Sequence, residues 1–245
     1  MTRFGPSAAA STVSLASLAG PDAARIFGGA GERSIETPIP NRYTREGYRR
    51  TTGPALREVV AQLEAEAAWV LGAPMAVGGE AKLIEEIERR LATDYAQFWE
   101  RTLADLRVKA PPDLKSTADL SRVLARSDST LTSLVTGVAR EVTLEGPGAA
   151  IVDTRFHELR NLARPQGLHD VLGLIGRLSA YLISVEDAIA RQLPIPADNV
   201  SAELASTAAR LPAPLREMLH TLSQASTREL ATVRRDALSR AFSGD

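Results

Sequence analysis

Residues 80–109 decide the fold, and they read EAKLIEEIERRLATDYAQFWERTLADLRVK. Their less polar side chains recur every three or four positions, which places them on one face of an α-helix: Ile84, Ile87, Leu91, Tyr95, Phe98, Thr102 and Leu106. Charged residues such as Glu88 fill most of the remaining positions, and we expect them to face solvent. Pro111 and Pro112 follow, and proline cannot continue a helical hydrogen-bond ladder. The pattern predicts one long amphipathic helix.

The same period marks helices on both sides of this one. Apolar stripes with flanking proline or glycine predict them over residues 54–71, 129–142, 152–163, 168–193, 201–211 and 214–240. In the first of these we expect the inward face to include Leu56, Val59, Val60 and Leu63. Ser116 and Asp119 resemble a capping box ahead of Leu120, which predicts one more helix start.

No stretch shows the alternation of Val, Ile and aromatic residues that is typical of a strand, so we expect no sheet of three or more strands. Residues 1–53 are rich in Gly, Pro, Ser and Thr, which predicts irregular structure apart from a short helix near 21–27. The Gly-Pro-Gly sequence at 146–148 is the clearest internal break. We therefore predict an all-α, multi-helix antiparallel bundle. An irregular lead-in (1–53) would pack on helical subdomains at 54–145 and 146–245.

Composition excludes several functional classes. The chain has no cysteine, which excludes disulfides, thiolate nucleophiles and cysteine-bound zinc. Lys and Arg total 29 against 30 Asp and Glu, unlike a protein that binds nucleic acid through a broad basic face. The most apolar run, 171–185, contains Arg177 and is too short to cross a bilayer. We expect it to be a buried helix, and we expect neither a signal peptide nor membrane insertion by this chain.

Reactive side chains form no convincing site. The glycine-rich loop 28–34 lacks the lysine and the following helix of a phosphate-binding loop, so a turn is expected. Neighbouring carboxylates such as Glu85 and Glu86 lie among basic residues, as on a solvated helix face. No histidine has a second one four residues away; they are His157, His169 and His220. We predict no catalytic, cofactor-binding or metal-binding residues, and no cofactor.

Tyr95, Phe98 and Trp99 cluster on the long helix and, with Trp69, could form an aromatic contact site. Large aromatic residues at helical spacing more often anchor a core. A ligand site would leave the Trp99 indole partly open in a polar pocket, whereas a scaffold would bury it. We predict burial of Trp99.

Several segments resemble one protein family in a consistent order. The segment 38–48, PIPNRYTREGY, looks like the family's IPGxYTxxGY signature, with Asn41 in place of glycine. Thr130 stands where the family usually has proline. Further matching segments are VSLASLAGPDAARIF (13–27), WVLG (69–72), DYAQFW (94–99), LADL (103–106), residues 129–141, RFHEL (155–159) and LPAPL (211–215). Together they are similar to the periplasmic helical region of the TssM (IcmF) family of type VI secretion systems.

The resemblance implies a structural role in an envelope-spanning membrane complex. It implies a periplasmic segment of an inner-membrane protein, with TssJ, TssL and further TssM copies as partners, and no enzymatic activity. Asp94, Tyr95 and Trp99 would be scaffold residues. The family's transmembrane helices, cytoplasmic nucleotide-binding domain and C-terminal β domain are not in this sequence, so we expect an excised fragment or a split-gene product. A free-standing helical adaptor unrelated to secretion is the alternative.

Overall fold

The computed structural model describes residues 13–31, 34–71, 79–146 and 148–243, with side chains for all of these except 67–71 and 240–243. The N-terminal elements are α1 (Leu15–Ala19), α2 (Ala23–Ile26), β1 (Phe27–Gly29), a 3-10 turn (Asn41–Tyr43) and α3 (Arg45–Thr51). The longer helices and the second strand are α4 (Pro54–Leu71), α5 (Gly79–Asp105), β2 (Leu106–Val108), α6 (Leu114–Leu124), α7 (Thr130–Glu141), α8 (Ala149–Leu162), α9 (His169–Ala190), α10 (Val200–Ala208) and α11 (Leu215–Ser243).

The predicted all-α, multi-helix class is confirmed. Each helix expected from the 3.6-residue period is present, with ends that differ by a few residues, the usual uncertainty of helix boundaries. The pattern does not predict α1 or α3, which lie in the stretch expected to be irregular. Both are short helices with polar caps, and a single turn or two shows little periodicity.

No stretch predicts a strand, but β1 and β2 form a two-stranded antiparallel sheet, which agrees with the expectation of no sheet of three or more strands among the described residues. Phe27 lies opposite Val108 and Gly29 opposite Leu106. The ladder continues at both ends: Ala30 N donates to Asp105 O and Lys109 N donates to Ile26 O, each at 2.8 Å. The long helix therefore ends at Asp105 rather than at residue 109, and Gly28 and Gly29 belong to a strand. Three-residue strands are too short for an alternating pattern to reveal.

Polar side chains start several helices. Ser14 and Ser17 form a capping box on α1, with Ser17 N donating to Ser14 Oγ at 3.1 Å and Ser14 N donating to Ser17 Oγ at 2.8 Å. Asp113 caps α6 by accepting from Ser116 N at 2.7 Å. The capping box predicted at Ser116 is therefore wrong, since that residue already lies inside the helix. A carboxylate at the N-cap accepts this bond as well as a hydroxyl does.

Thr130 occupies the first position of α7, and Ser129 caps the helix by accepting from Thr132 N at 3.3 Å. Proline is tolerated at the first helical position because the N–H there has no intrahelical partner. Threonine at 130 therefore leaves the start of the helix intact.

A continuous cluster of buried apolar side chains extends from Leu15 in α1 to Leu230 in α11. Within it α6 packs on α9, α10 on α11, α1 on α7 and α5 on α8. Helix α9 contributes Ile175, Leu178 and Leu182, all fully buried, so the apolar run 171–185 is a core helix as predicted. Across the described ranges, no helix combines the length and apolarity that a bilayer crossing needs. The division into subdomains at 145/146 stays a prediction.

The inward faces of α4 and α5 differ from the predicted ones. In α4, Leu56 and Val60 are buried, but Val59 and Leu63 are 52% and 56% exposed. In α5 the buried side chains are Glu88, Ala92, Tyr95, Ala96, Trp99 and Leu103. The buried face is thus rotated toward alanine and tryptophan, because small residues allow other segments to approach closely.

Candidate functional site

The segment 38–48 packs against the middle of α5, where the sequence shows its most distinctive motifs. The segment turns through Asn41–Tyr43, and Thr44 then caps α3 by accepting from Gly47 N at 3.0 Å. We call this contact the aromatic junction. It comprises Tyr43 and Tyr48 from the segment and Asp94, Tyr95, Phe98 and Trp99 from α5.

Hydrogen bonds tie the polar atoms of the junction together. Trp99 Nε1 donates to the carbonyl oxygen of Tyr43 at 3.0 Å, and Tyr43 Oη donates to Asp94 Oδ2 at 2.8 Å. Tyr95 Oη donates to the carbonyl oxygen of Glu141 at 2.9 Å, which ties α5 to the end of α7. A buried donor without a partner would cost roughly 1–3 kcal/mol. These bonds let the large aromatic side chains lie inside the fold without that cost.

The rings also contact one another in specific geometries. Tyr43 stacks on Phe98 with ring centres 4.0 Å apart and planes inclined by 5°. Tyr48 meets Tyr95 edge to face at 5.3 Å, and Phe98 meets Trp99 at 6.2 Å and 89°. Such pairs contribute about 0.5–1.5 kcal/mol each beyond the area they bury. The guanidinium of Arg42 lies 4.7 Å from the Tyr43 ring centre, on the outside of the junction.

At two positions neighbouring atoms lie so close to the backbone that only glycine fits. A Cβ at Gly47 would lie 1.7 Å from the carbonyl oxygen of Asn41, so α3 can pack on the preceding turn only without a side chain there. Gly148 has φ +80°, and a Cβ would lie 2.6 Å from Ala92 Cβ and 2.7 Å from Tyr48 Oη. Gly148 belongs to the break predicted at 146–148. It directly precedes α8 and packs against Tyr48 of the junction.

The electrostatics of the junction favour neutral phenols. Burial, with a smaller effect of the Glu88 charge, raises the pKa of Tyr48 to about 12. Burial also raises the pKa of Tyr95, and burial together with the hydrogen bond to Asp94 raises that of Tyr43. All three hydroxyls stay protonated at neutral pH. They can donate hydrogen bonds, but they are poor bases and nucleophiles.

Trp99 is fully buried, as predicted from its place in the motif. A cavity of about 140 Å³ lies beside its neighbour Phe98, lined mainly by apolar groups such as Ile35 and Pro38. The carboxylate that lines it, Asp105, accepts from Gly31 N at 2.9 Å. The apolar lining and this bond to the backbone indicate a cavity formed where segments of the fold meet.

The histidines and carboxylates considered as site candidates in the sequence do not belong to the aromatic junction. His157 lies in α8, His169 starts α9 and His220 lies in α11. No cluster of three His, Asp or Glu side chains suited to a metal ion occurs in the part of the chain that the structure describes. Glu86 accepts hydrogen bonds from Arg89 and Arg90, which lower the pKa of its carboxyl. The predicted absence of catalytic, cofactor-binding and metal-binding residues stays a prediction.

One carboxylate is buried against expectation, and two further sequence candidates lie partly outside the described residues. Glu88 was expected to face solvent but is 6% exposed, and its Oε1 accepts from Gly53 N at 3.4 Å. Trp69 lies outside the residues whose side chains are described, so its predicted part in an aromatic contact site stays a prediction. Residues 32–33 of the glycine-rich loop also lie outside the described residues.

Sequence reasoning missed the partners of the junction. It singled out Tyr43 and Tyr48 within a motif and Asp94, Tyr95 and Trp99 within another. It gave no indication that the two motifs touch. The separation of about 50 residues along the chain leaves no local pattern to read, and the one feature the two motifs share is that both contain aromatic residues.

Comparison with known proteins places these motifs in a family. A family model for IcmF-related proteins, described as intracellular multiplication and human macrophage-killing, matches residues 2–143. The type VI secretion system component TssM1 of Pseudomonas aeruginosa is 30% identical over 132 residues, which are 54% of this chain and 12% of that protein. No solved structure matches. The family match contains α1 to α7 and the whole of the aromatic junction. The chain belongs to the IcmF-related family.

Proposed function

We propose that this chain is a structural component of a type VI secretion system, the periplasmic helical portion of a TssM/IcmF subunit of the envelope-spanning membrane complex. The family match and the similarity to TssM1 support membership of that system. The chain spans about an eighth of the length of that relative. The activity of the whole complex therefore enters only as part of this proposal.

One observation carries the scaffolding role: the most distinctive motif residues are used in internal packing. Trp99 and Tyr95 are buried, and their polar atoms bond to backbone carbonyls of Tyr43 and Glu141. An enzyme of this size would present such residues in a cleft with convergent polar groups. We propose that the chain is not an enzyme and acts by assembly, with TssJ, TssL and further TssM copies as its partners.

The experiment is an in-frame deletion of codons 13–243 in the source bacterium, followed by measurement of tube-protein secretion and co-purification of TssL and TssJ. We expect secretion to be lost and restored by the wild-type gene on a plasmid. An epitope inserted at Ala209, at the end of α10, should be digested by protease in spheroplasts but not in intact cells. Normal secretion in the deletion strain would contradict the proposal and would favour a free-standing adaptor. Protection of the epitope in spheroplasts would contradict the periplasmic placement.

A further inference from the structure

A groove beside α7 and α8 is lined by arginines drawn from three parts of the chain. It has a volume of about 300 Å³. The polar groups that line it are Arg45, Thr136, Arg140, Thr143, Arg160 and Arg164. Arg160 lies in the last turn of α8 and Arg164 in the turn that follows the helix, while Thr136 and Arg140 are four residues apart on α7. Residues at that spacing lie on one side of a helix. The groove is therefore a product of the packing of α7 on α8.

The positive charge of the groove is only partly neutralised. Arg45 Nη2 pairs with Glu145 Oε1 at 2.6 Å, but the Glu145 side chain is 79% exposed, and exposed pairs contribute little to stability. Arg160 Nη1 lies 2.8 Å from Asp153 Oδ1. The Nε of Arg160 is buried, and no hydrogen-bond partner for it occurs among the described residues.

Arg140 and Arg164 have no carboxylate partner within the ranges the structure describes, and both are exposed. Each is a planar guanidinium that can bind a carboxylate through two parallel hydrogen bonds. Two such groups across one groove create a local positive potential in a chain whose formal net charge is −1. Such a potential favours association with an acidic partner.

We propose that this groove binds a carboxylate-bearing segment of a partner protein, with Arg140 and Arg164 as the main contacts and Arg45 exchanging Glu145 for the incoming carboxylate. A nucleic acid would need a broader basic surface to release enough counterions. A membrane surface would need large apolar side chains beside the arginines. The exposed large apolar residues in the described part of the chain lie elsewhere, for example Val59 and Leu238.

The test uses the 245-residue chain and a fluorescein-labelled eight-residue peptide of alternating glutamate and alanine. Fluorescence anisotropy at about 50 mM NaCl, where screening is weak, should give saturable binding. A peptide with glutamine in place of glutamate should not bind. The double variant Arg140→Gln/Arg164→Gln should bind the acidic peptide on the order of tenfold more weakly. Raising the salt to about 300 mM should weaken wild-type binding as well.

A matched control removes the same charge elsewhere. Arg57 in α4 and Arg101 in α5 are also exposed and have no ion-pair partner in the described stretches. Arg57→Gln/Arg101→Gln should therefore bind the acidic peptide like the wild type. Equal losses in the two double variants would overturn the proposal, because they would show a response to net charge alone. No saturable binding of the acidic peptide, or equal binding of the glutamine peptide, would also overturn it.

The source of the negative charge is tested with phosphatidylglycerol vesicles and with inorganic phosphate. We expect neither to bind the chain in a way that depends on Arg140 and Arg164. Binding of either probe that is lost in the double variant, without binding of the acidic peptide, would assign the groove to a phosphate group and overturn the protein-segment proposal. The assay needs no secretion system, so its outcome is independent of the proposed function.

Discussion

Helices α5 and α4 are both predicted by the same 3.6-residue period, yet the fold buries the aromatic junction on α5 and leaves two large apolar side chains of α4 exposed. At the junction, Trp99 and Tyr95 are buried and their polar atoms are hydrogen-bonded. In α4, Val60 is buried, whereas Val59 and Leu63 lie mainly in solvent. Among the described residues, the main packing partners of α4 are α3 and α5. An apolar stripe predicts a helix, but the burial of each side chain depends on how many elements reach it.

This contrast predicts where the fold is most easily damaged. Trp99→Ala should lower the free energy of unfolding by about 3–5 kcal/mol, through lost contacts, a cavity and an unpaired carbonyl at Tyr43. That is a large share of the roughly 5–15 kcal/mol that stabilises a typical domain. Urea unfolding followed by circular dichroism measures it. Arg101→Ala, on the exposed side of the same helix, should change the midpoint little. Equal midpoints for wild type and Trp99→Ala would show that the junction does not hold the fold.

Gly47→Ala should have the next largest effect. Its Cβ would lie 1.7 Å from the carbonyl oxygen of Asn41, so α3 must move away from the turn before it. Overpacking typically costs 1–3 kcal/mol, and we expect about 3 kcal/mol because the clashing atom belongs to the backbone. The matched control is Gly173→Ala in α9, where a Cβ meets nothing within 4 Å. That change should be neutral or stabilise by up to about 1 kcal/mol. A Gly47→Ala protein as stable as the control would show that the segment 38–48 can shift freely.

The helices could be predicted because their apolar spacing is local, and this holds for α5, α7 and α9 alike. The junction could not, because the bond from Trp99 Nε1 to the Tyr43 carbonyl joins segments 56 residues apart. The burial of Glu88 and the rotation of the α5 face follow from the same cause, since the segment 38–48 and α8 approach the alanine side. The two-stranded sheet could not be predicted because its strands have three residues each, too few to show an alternating pattern. The arginine groove could not be predicted either, because its arginines come together only when α7 packs on α8.

Alkaline pH should weaken the aromatic junction. Burial raises the pKa of Tyr48 from near 10 to about 12, so the folded state holds this proton more tightly than the unfolded chain. The resulting stability is fully present below pH 10 and is lost as the pH rises through about 12. One unit of pKa corresponds to about 1.4 kcal/mol, so the full shift of about two units corresponds to at most about 3 kcal/mol. Because Tyr48 is only about half ionised in the folded protein at pH 12, we expect a loss of roughly 2 kcal/mol by that pH. Urea unfolding between pH 8 and 12 should show a smaller loss in Tyr48→Phe. The same loss in that variant would mean that other groups cause it.

The smallest effect concerns two neighbouring valines in α4 and tests the comparison most directly. Val60 is 1% exposed and Val59 is 52% exposed, so Val60→Ala and Val59→Ala make the same chemical change on two sides of one helix. Val60→Ala removes buried methyl groups worth about 0.8 kcal/mol each and leaves a small cavity, which together should cost about 1–2 kcal/mol. Val59→Ala should change stability by no more than about 0.5 kcal/mol, because its side chain already contacts water and alanine favours the helix. Urea midpoints of the two variants measure the difference. Equal losses of stability in the two variants would show that the Val59 side chain is buried in solution. The side of α4 that carries Val59 would then be packed against another part of the protein.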